Sequence, residues 1–256
     1  MRKDKIKVLV VCRDAHDTNE GSACRDVKKE GFEVIHAWKN SLKKEDLKEV
    51  DFVISIGGDG TALSASHYLT DKPLLAVNSA PGKSEGALTT LNIDELKEKL
   101  DEIKEIGYKT EKLERIEVYV NEKKIDFLAL NEVFIANEKA YLISKYKIKY
   151  KSVEEEQRSS GVIFATGTGS TAWFKSAGGE SFGSQEKFIK MTVREPYLGK
   201  LGKFRLMNAK INEGEEIEII PKINSVLAID SIRETKLKEG DRVKIKISDN
   251  PLKRIV

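Results

Sequence analysis

The feature that most constrains the fold is a series of short apolar runs separated by polar segments in the first third of the chain. The runs KIKVLVV, FEVIHAW, DFVISI and PLLAVN occupy residues 5–11, 32–38, 51–56 and 73–78. Continuous β-branched runs of this length are typical of strands that are covered on both faces of a sheet. The segments between them predict helices, and such alternation indicates βαβ units with a parallel sheet.

Helix signals accompany these runs. A predicted short helix over residues 41–50 begins with Ser41, a good N-cap residue, and a longer one over residues 93–107 ends at Gly107. Residues 18–30 and 61–69 are also predicted to be helical.

The second half of the chain has a different pattern. Residues 115–137, RIEVYVNEKKIDFLALNEVFIAN, alternate apolar and polar side chains around a turn and predict a hairpin. Further strand-like runs continue to the end of the sequence. We therefore predict an α/β domain at residues 1–92 with a Rossmann-like parallel sheet, a β-rich domain at residues 93–235, and a tail at residues 236–256 that is able to pack back on the first domain.

Charge and hydropathy exclude two classes of partner. The net charge is +3, the small remainder of 45 basic and 42 acidic side chains, so neither nucleic acid nor an anionic membrane is indicated. No apolar run reaches the length of a membrane span. The N-terminus, MRKDKIKVLVV, enters a strand almost at once and leaves no room for a signal peptide, which predicts a cytoplasmic protein.

The two cysteines, Cys12 and Cys24, have no CxxC spacing. Because Cys12 follows the apolar run KVLVV, a buried thiol is favoured over a disulfide or a metal ligand. No metal ligand is predicted from the sequence.

The stretch VISIGGDGTALSASHY, residues 53–68, places Asp59 among three glycines where a predicted strand ends. Ligands of parallel sheets bind beyond the carboxyl ends of strands, and glycines let the backbone approach them closely. The next helix would direct its N-terminal N–H groups at an anion. Asp59 could hold Mg²⁺ or accept a proton from an attacking hydroxyl, or it could simply cap the helix. The stretch is not a Walker A loop.

A second glycine cluster lies in SSGVIFATGTGSTAWFKSAGG, residues 159–179, which predicts a strand, a polar loop and a helix from Ser170. Gly167-x-Gly169-x-x-Ala172 formally matches the dinucleotide fingerprint, but its position in the β-rich half argues against a Rossmann unit. Trp173 is either a core residue or the wall of a base-binding pocket.

Asn131 and Glu132 interrupt the apolar strand LALNEVFIAN. Adjacent residues of a strand point to opposite faces, so at least one of these polar side chains must be buried or lie at a site. Buried polar groups need partners, and a ribose diol or an adenine edge would provide them. The alternative is that the pair simply ends a strand at a turn.

Together the motifs GGDGT (57–61), LNEV (130–133), TGTGSTAW (166–173) and SAGG (176–179) resemble the NAD kinase family. NSAPGKSEG (78–86) and the start of the second glycine cluster are similar to its mitochondrial-type branch. The resemblance implies transfer of the γ-phosphoryl of ATP, or of a polyphosphate phosphoryl, to the 2′-hydroxyl of the adenosine ribose of NAD, giving NADP. It also implies a β-sandwich-like C-terminal domain that binds the dinucleotide, an active site in the cleft between the domains, Mg²⁺ or another divalent cation with the donor, and a homodimer or homotetramer.

By the same resemblance, Asp59 matches the proton acceptor of the family. The other positions predicted to contact the donor or the dinucleotide are Gly58, Gly60, Thr61, Asn78, Asn131, Glu132, Arg158, Ser160, Thr168, Thr171, Ala172, Trp173 and Ser176. His67 and Glu85 are secondary candidates. The alternative for His67 is an ordinary histidine on a helix surface that makes no contact with the donor phosphates.

Ser160 departs from the family pattern, because many members carry Asp at this position near the nicotinamide riboside. A carboxylate there would favour the cationic, oxidised ring by Coulomb attraction. Our hypothesis is that Ser160 loosens the preference for NAD⁺ over NADH.

Two other functions fit part of the pattern. Lipid and sphingoid-base kinases share a GGDG loop, but they would not need the LNEV and TGTGSTAW motifs. A sensor that binds NAD(P) without catalysis would not need the carboxylate of Asp59. NAD kinase is therefore the predicted activity.

Overall fold

A computed structural model of the chain describes residues 5–13, 18–83, 86–199 and 203–256, with the backbone alone for residues 18–22. The chain forms two compact units. The first consists of residues 1–112 together with 252–256, and the second of residues 113–251.

The first unit alternates strands and helices, as the sequence predicts. Its elements are β1 (Lys7–Cys12), α1 (Thr18–Lys29), β2 (Glu33–Trp38), a 3₁₀ helix (Lys44–Leu47), β3 (Phe52–Gly57), α2 (Asp59–Ser66), β4 (Leu74–Asn78), β5 (Leu91–Asn92), a 3₁₀ helix (Ile93–Glu95), α3 (Leu96–Ile106), β6 (Thr110–Leu113) and the final strand of the chain, β19 (Leu252–Ile255).

The strands of this unit form one sheet in the order β2-β1-β3-β4-β19-β6, and β5 also pairs with β4. The pairs β1–β2, β1–β3, β3–β4 and β4–β19 are parallel. Side chains of β1, β3 and β4 pack with α1 and α3 in one apolar cluster, whose members include Val10, Val27, Ile54 and Leu100. The prediction of a parallel α/β sheet is confirmed.

The helix predicted over residues 41–50 is wrong in extent, because only Lys44–Leu47 forms a single 3₁₀ turn. Ser41 does not cap it, since its hydroxyl donates a hydrogen bond back to the Trp38 carbonyl (3.2 Å). The predicted end of α3 at Gly107 is confirmed. Gly107 has φ of 83°, a left-handed conformation that glycine adopts without a Cβ penalty.

The second unit is almost entirely β structure. Its elements are β7 (Ile116–Val120), β8 (Lys123–Lys124), β9 (Glu132–Asn137), β10 (Ser144–Tyr150), β11 (Val153–Ser159), β12 (Gly161–Ala165), a 3₁₀ helix (Gly169–Thr171), α4 (Trp173–Ser176), β13 (Phe188–Arg194), β14 (Asn208–Asn212), β15 (Glu216–Pro221), β16 (Ser225–Ile229), β17 (Arg233–Leu237) and β18 (Val243–Ile247).

These strands form two antiparallel sheets of six strands each, in the orders β11-β10-β15-β18-β7-β8 and β14-β13-β12-β9-β16-β17. One apolar cluster joins inward-facing side chains of both sheets, such as Ile148 and Ile245 from the first and Val133 and Phe164 from the second. The unit is therefore a β-sandwich, in which two sheets share one core. The sandwich implied by the family resemblance is confirmed.

The compact units differ from the predicted boundaries at two places. Helix α3 lies in the first unit, because Leu96, Leu100 and Ile103 are buried in the cluster under the parallel sheet. Most of the predicted tail at residues 236–256 lies in the second unit, because β18 pairs there with β7 and β15. Only β19 returns to the first sheet. Among the described residues, no helix is long and apolar enough to cross a membrane.

Candidate active site

The glycine turn follows β3 in the first unit. A Cβ on Gly57 would lie 2.3 Å from the side-chain oxygen of Thr61, so the buried Thr61 side chain uses the space that this glycine leaves. Gly58 is the N-cap residue of α2. A Cβ on Gly60 would meet nothing within 4 Å. Packing therefore explains Gly57, whereas the surface beside Gly60 is open to a ligand.

Asp59 is the first residue of α2, and its side chain does not cap that helix. The alternative of a simple N-cap aspartate is therefore wrong. Instead the carboxylate reaches the loop after β4, where Oδ1 accepts the backbone N–H of Leu88 (2.8 Å) and Oδ2 accepts that of Ala87 (3.1 Å). Each oxygen keeps a lone pair for a further donor. Two backbone donors thus hold the orientation of a carboxylate that remains able to accept a proton or contact a cation.

Asn78 ends β4 directly beside the turn, because its Cα pairs in register with Gly57 of β3. The side chain is buried, and its Oδ1 accepts the backbone N–H of Ala80 (3.1 Å). Asn78 also lines a cavity of about 240 Å³ together with Gly86 and Thr89. The first sheet therefore gathers Gly58, Asp59, Gly60, Thr61 and Asn78 at the carboxyl ends of two adjacent strands, as predicted.

The two secondary candidates have different outcomes. His67 is the C-cap residue of α2 and is buried. At 1.5 Å per residue it lies about 12 Å along the helix from Asp59, so the structure does not bring His67 to the glycine turn. Glu85 lies outside the described residues.

In the second unit, one carboxylate organises the strand end that carries Asn131 and Glu132. Asp230 accepts the backbone N–H groups of Leu130 (2.8 Å), Asn131 (2.7 Å) and Glu132 (3.0 Å). Asp230 and Ser231 form the tight turn between β16 and β17, with φ of 52° and 54°. Aspartate tolerates this left-handed conformation better than most residues. The turn thus fixes the backbone of Asn131 and Glu132, and with it the position of their side chains.

Glu132 is a buried carboxyl group, with 4% of its surface exposed. The Ser231 hydroxyl donates a hydrogen bond to it (3.2 Å). Burial raises the pKa of Glu132 to about 7, and the Asp230 carboxylate adds to the rise. Glu132 therefore exchanges a proton near neutral pH and can either donate or accept a hydrogen bond. Asn131, just before β9, is half-buried and presents an amide beside it.

The Thr/Gly loop after β12 packs directly on this strand end. The Thr166 hydroxyl accepts the backbone N–H of Gly169 (3.1 Å), and the Thr166 backbone N–H donates to the Asn131 carbonyl (3.0 Å). A Cβ on Gly169 would lie 2.1 Å from that same carbonyl oxygen. Thr168 has a buried hydroxyl with no hydrogen-bond partner among the described residues. A buried polar atom of this kind calls for a ligand or water.

The helix predicted from Ser170 is short: a 3₁₀ turn covers Gly169–Thr171, and α4 covers only Trp173–Ser176. Phe174 anchors α4 in an apolar cluster against β12. Thr171, Ala172 and Ser176 are exposed. These three predicted contact residues therefore lie on the outer surface of the short segment formed by the 3₁₀ turn and α4.

A groove of about 350 Å³ brings Ser160 and Trp173 together with Phe134 and Arg194. The Trp173 ring lies 4.6 Å from the Phe134 ring, and the Arg194 guanidinium lies 5.7 Å from the Trp173 ring centre. The Ser160 hydroxyl hydrogen-bonds the Glu195 carboxylate and lowers its pKa. The groove thus offers aromatic faces and a cation to a ligand.

Arg158 does not join this group. It lies on β11, in the other sheet of the sandwich, and is exposed. It lines a separate cavity of about 360 Å³ with Lys145 and Lys222. Its position before Ser160 in the sequence is misleading, because β11 and β12 belong to different sheets.

Five residues that contact the candidate residues were not predicted from the sequence: Ala87, Leu88, Arg194, Glu195 and Asp230. Asp230 has a usable signal, since the run SVLAIDSI reads as one strand but the structure ends that strand at Ile229, and residues 230–232 form a turn. Ala87 and Leu88 act through backbone N–H groups, which side-chain motifs do not reveal.

Comparison with known proteins identifies the family of this chain. A model of the ATP-NAD kinase N-terminal domain matches residues 6–108, and a model of the ATP-NAD kinase C-terminal domain matches residues 101–256. A probable NADH kinase of Oryza sativa subsp. japonica is 27% identical over 91% of this chain and 79% of its own length. An NAD kinase of Methanosarcina acetivorans is 30% identical over 80% of this chain and 72% of its own length.

Solved structures share the fold. The crystal structure of an NAD kinase from Archaeoglobus fulgidus in complex with ATP superposes with a TM-score of 0.81 at 24% identity, covering 98% of this chain and 94% of that one. Yeast NADH kinase complexed with NADH superposes with a TM-score of 0.84 at 18% identity, covering 100% and 84%. With both domain models matched from residue 6 to residue 256, the chain belongs to the NAD kinase family.

Proposed function

We propose that this protein is an NAD kinase that transfers the γ-phosphoryl of ATP, or a phosphoryl of polyphosphate, to the 2′-hydroxyl of the adenosine ribose of NAD. The observation that carries the proposal is the placement of Asp59. Asp59 is the first residue of α2, beside the open surface at Gly60, and its carboxylate accepts the backbone N–H groups of Ala87 and Leu88.

Asp59 is the proton acceptor in this proposal. Both of its oxygens keep a lone pair after binding Ala87 and Leu88, so the carboxylate can accept the proton of the ribose hydroxyl as that oxygen attacks. The backbone donors restrict the rotation of the side chain. Such positioning is a large part of catalysis in phosphoryl transfer, where the protein does little covalent chemistry.

The glycine turn is proposed to bind the phosphate donor. The backbone N–H groups at the start of α2 favour an anion, and Gly60 leaves space for it. Among the described residues, Asp59 is not part of any group of three carboxylate, histidine or cysteine ligands. This fits Mg²⁺ that is held mainly by substrate phosphates with help from Asp59. When bound, the cation neutralises charge that develops on the transferred phosphoryl.

The second unit is proposed to bind the dinucleotide. Asn131 and Glu132 would contact the ribose and adenine of NAD, and the buried Thr168 hydroxyl would contact a further polar atom of it. Thr171, Ala172 and Ser176 would add contacts from the exposed side of the 3₁₀ turn and α4, and the groove beside Trp173 and Ser160 would accept an aromatic ring. The role of Arg158 stays a prediction, in a different part of the sandwich.

NADH is included as a second acceptor in this proposal. The rice relative is named a probable NADH kinase, and the yeast structure holds NADH. Ser160, which stands where many members carry Asp, is consistent with a relaxed preference. A homodimer or homotetramer and a cytoplasmic location stay predictions.

The test is NADP formation by the purified protein with Mg²⁺ and NAD, supplied with ATP or polyphosphate in parallel. Wild-type protein is expected to form NADP with at least one donor, and Asp59→Asn is expected to lose most of kcat while still binding NAD. Asp71→Asn, at an exposed aspartate of the same unit, is the matched control and is expected to keep wild-type turnover.

Two outcomes would contradict the proposal. Tight NAD binding without product from either donor would favour the non-catalytic sensor. Near-normal turnover of Asp59→Asn would remove Asp59 from the catalytic role. Family membership already argues against a lipid or sphingoid-base kinase.

A further inference from the structure

Three side chains that no motif connects meet in the first unit. Cys12 ends β1, Cys24 lies on α1 and His36 lies on β2, and each is twelve positions from the next along the chain. The two sulfur atoms and a ring nitrogen of His36 all lie within 4.8 Å of one another. The β1–α1–β2 crossover creates this cluster, because it brings a strand end, the covering helix and the edge strand together.

The arrangement is close to that of a metal site. In a tetrahedral zinc site, with Zn–S of about 2.3 Å and Zn–N of about 2.0 Å, neighbouring ligand atoms lie about 3.5–3.8 Å apart. Small side-chain rotations would bring the three atoms to those distances. Cys12 is fully buried and therefore fixed, whereas His36 is exposed and can adjust. The Trp38 ring packs edge-on against His36 at 4.3 Å and limits its orientations.

The protonation states also suit a metal ligand set. Both cysteines are present as thiols and not as a disulfide. A hydrogen bond from the Cys12 thiol lowers the pKa of Cys24; burial opposes part of this fall, and nearby Arg25 adds to it. The protein that packs against one side of the His36 ring reduces its contact with water and so lowers its pKa, which favours the neutral imidazole. Thiolate and neutral imidazole are the forms that bind transition metals.

We propose that Cys12, Cys24 and His36 form a zinc-binding site. Two thiolates and one imidazole are ligands that Zn²⁺ prefers, and three protein ligands leave its fourth position for water or another small ligand. The sequence alone predicts no such site, since the spacing matches no zinc motif.

The location gives the site a structural consequence. Cys12 pairs in register with Ile56 of β3, the residue before Gly57 of the glycine turn. A bound ion would tie α1 and the edge strand β2 to β1 at this end of the sheet. Zinc is therefore expected to raise the melting temperature of the protein, since it binds the folded chain.

The experiment uses full-length protein that has been reduced, stripped of metal with a chelator and kept anaerobic. Titration with Co²⁺ is expected to produce a thiolate-to-cobalt charge-transfer band and the visible bands of a four-coordinate ion, with one ion per chain, and Zn²⁺ is expected to displace them. These readouts do not depend on kinase activity, so failure here is distinct from failure of the proposed function.

Two ligand variants and one control make the test specific. Cys24→Ser and His36→Gln are expected to weaken cobalt binding by at least about tenfold and to abolish the zinc-induced rise in melting temperature. Cys24 and His36 are chosen because Cys12 is fully buried and its replacement could prevent folding. His67→Gln removes a different imidazole of the same unit and is expected to leave cobalt binding unchanged.

Two results would overturn the proposal. The first is reduced protein that binds no cobalt; if that protein had been isolated with a Cys12–Cys24 disulfide, the cluster would be a redox pair instead. The second is stoichiometric binding that survives both Cys24→Ser and His36→Gln.

Discussion

Replacing Asp230 by Asn tests how far this buried carboxylate stabilises the part of the second unit that is proposed to bind the dinucleotide. Asp230 accepts three backbone N–H groups, two at Oδ1 and one at Oδ2. Asn can keep the oxygen that serves Asn131 and Glu132, but its NH₂ group would face the N–H of Leu130. Asn also tolerates the positive φ of 52° at this position, so no new backbone strain arises.

The magnitude follows from those bonds. Two charge-assisted hydrogen bonds become neutral ones, at about 1 kcal/mol each, and the buried N–H of Leu130 loses its acceptor, at about 1–3 kcal/mol. Removing the charge relieves repulsion with Glu132 and offsets part of this loss. We therefore expect the free energy of unfolding to fall by about 2–4 kcal/mol. The pKa of Glu132 should fall as well, because Asp230 contributes to its rise.

The assay is urea denaturation together with KM for NAD. KM is expected to rise, since the two hydrogen bonds that hold Asn131 and Glu132 become weaker and the neighbouring Leu130 N–H loses its acceptor. Asp241→Asn is the matched control, because Asp241 also accepts a backbone N–H in a turn (from Lys238, 2.7 Å) but is not buried. The control should change stability by less than about 1 kcal/mol. An equally small effect of Asp230→Asn, with unchanged KM, would refute the reasoning.

Two further predictions concern charge in the second unit. Because the folded pKa of Glu132 is about 7, above the ordinary value of 4.5, protonated Glu132 contributes about 3 kcal/mol of stability below pH 4.5 that is lost as pH rises through 7. Glu132→Gln should therefore be more stable than wild type at pH 8 and less dependent on pH; parallel unfolding curves from pH 4 to 8 would contradict this. Ser160→Asp should raise the ratio of kcat/KM for NAD⁺ over NADH about fivefold, since a carboxylate near a cationic ring contributes about 1 kcal/mol. Ser160→Asn is its neutral control, and a strong NAD⁺ preference that Ser160→Asp leaves unchanged would disprove the hypothesis.

The parts of the fold that the sequence predicts are those with local signals. The apolar runs around Val10, Ile54 and Leu75 predict buried parallel strands because the side chains of residues 8–12, 52–56 and 74–78 are all buried. The glycine turn with Asp59 is also a local signal, because all of its essential residues are consecutive in the sequence. The helix over residues 41–50 failed because Ser41, its expected cap, bonds back to Trp38, and burial of Leu42, Leu47 and Val50 needs no more than the single 3₁₀ turn at Lys44–Leu47.

The parts that could not be predicted depend on residues far apart in the chain. Asp230 reaches Leu130, Asn131 and Glu132 across about one hundred positions. Its role is visible only once β16 pairs with β9. Arg158 shows the converse, because Arg158 and Ser160 are close in sequence but line different cavities, Arg158 from β11 of one sheet and Ser160 at the start of β12 of the other.

The position of β19 has a consequence for biosynthesis. This strand, Leu252–Ile255, lies between β4 and β6 in the first sheet, so the sheet has a gap until the ribosome has added residue 255. The parallel strands before it can form early, but β6 has no neighbouring strand to pair with until β19 has been synthesised, after the whole sandwich. Folding order is therefore not chain order here: the unit that starts first is completed last. Proteolysis or premature termination near residue 250 would leave a folded sandwich attached to a sheet with an unpaired interior edge, which is the kind of surface that aggregates.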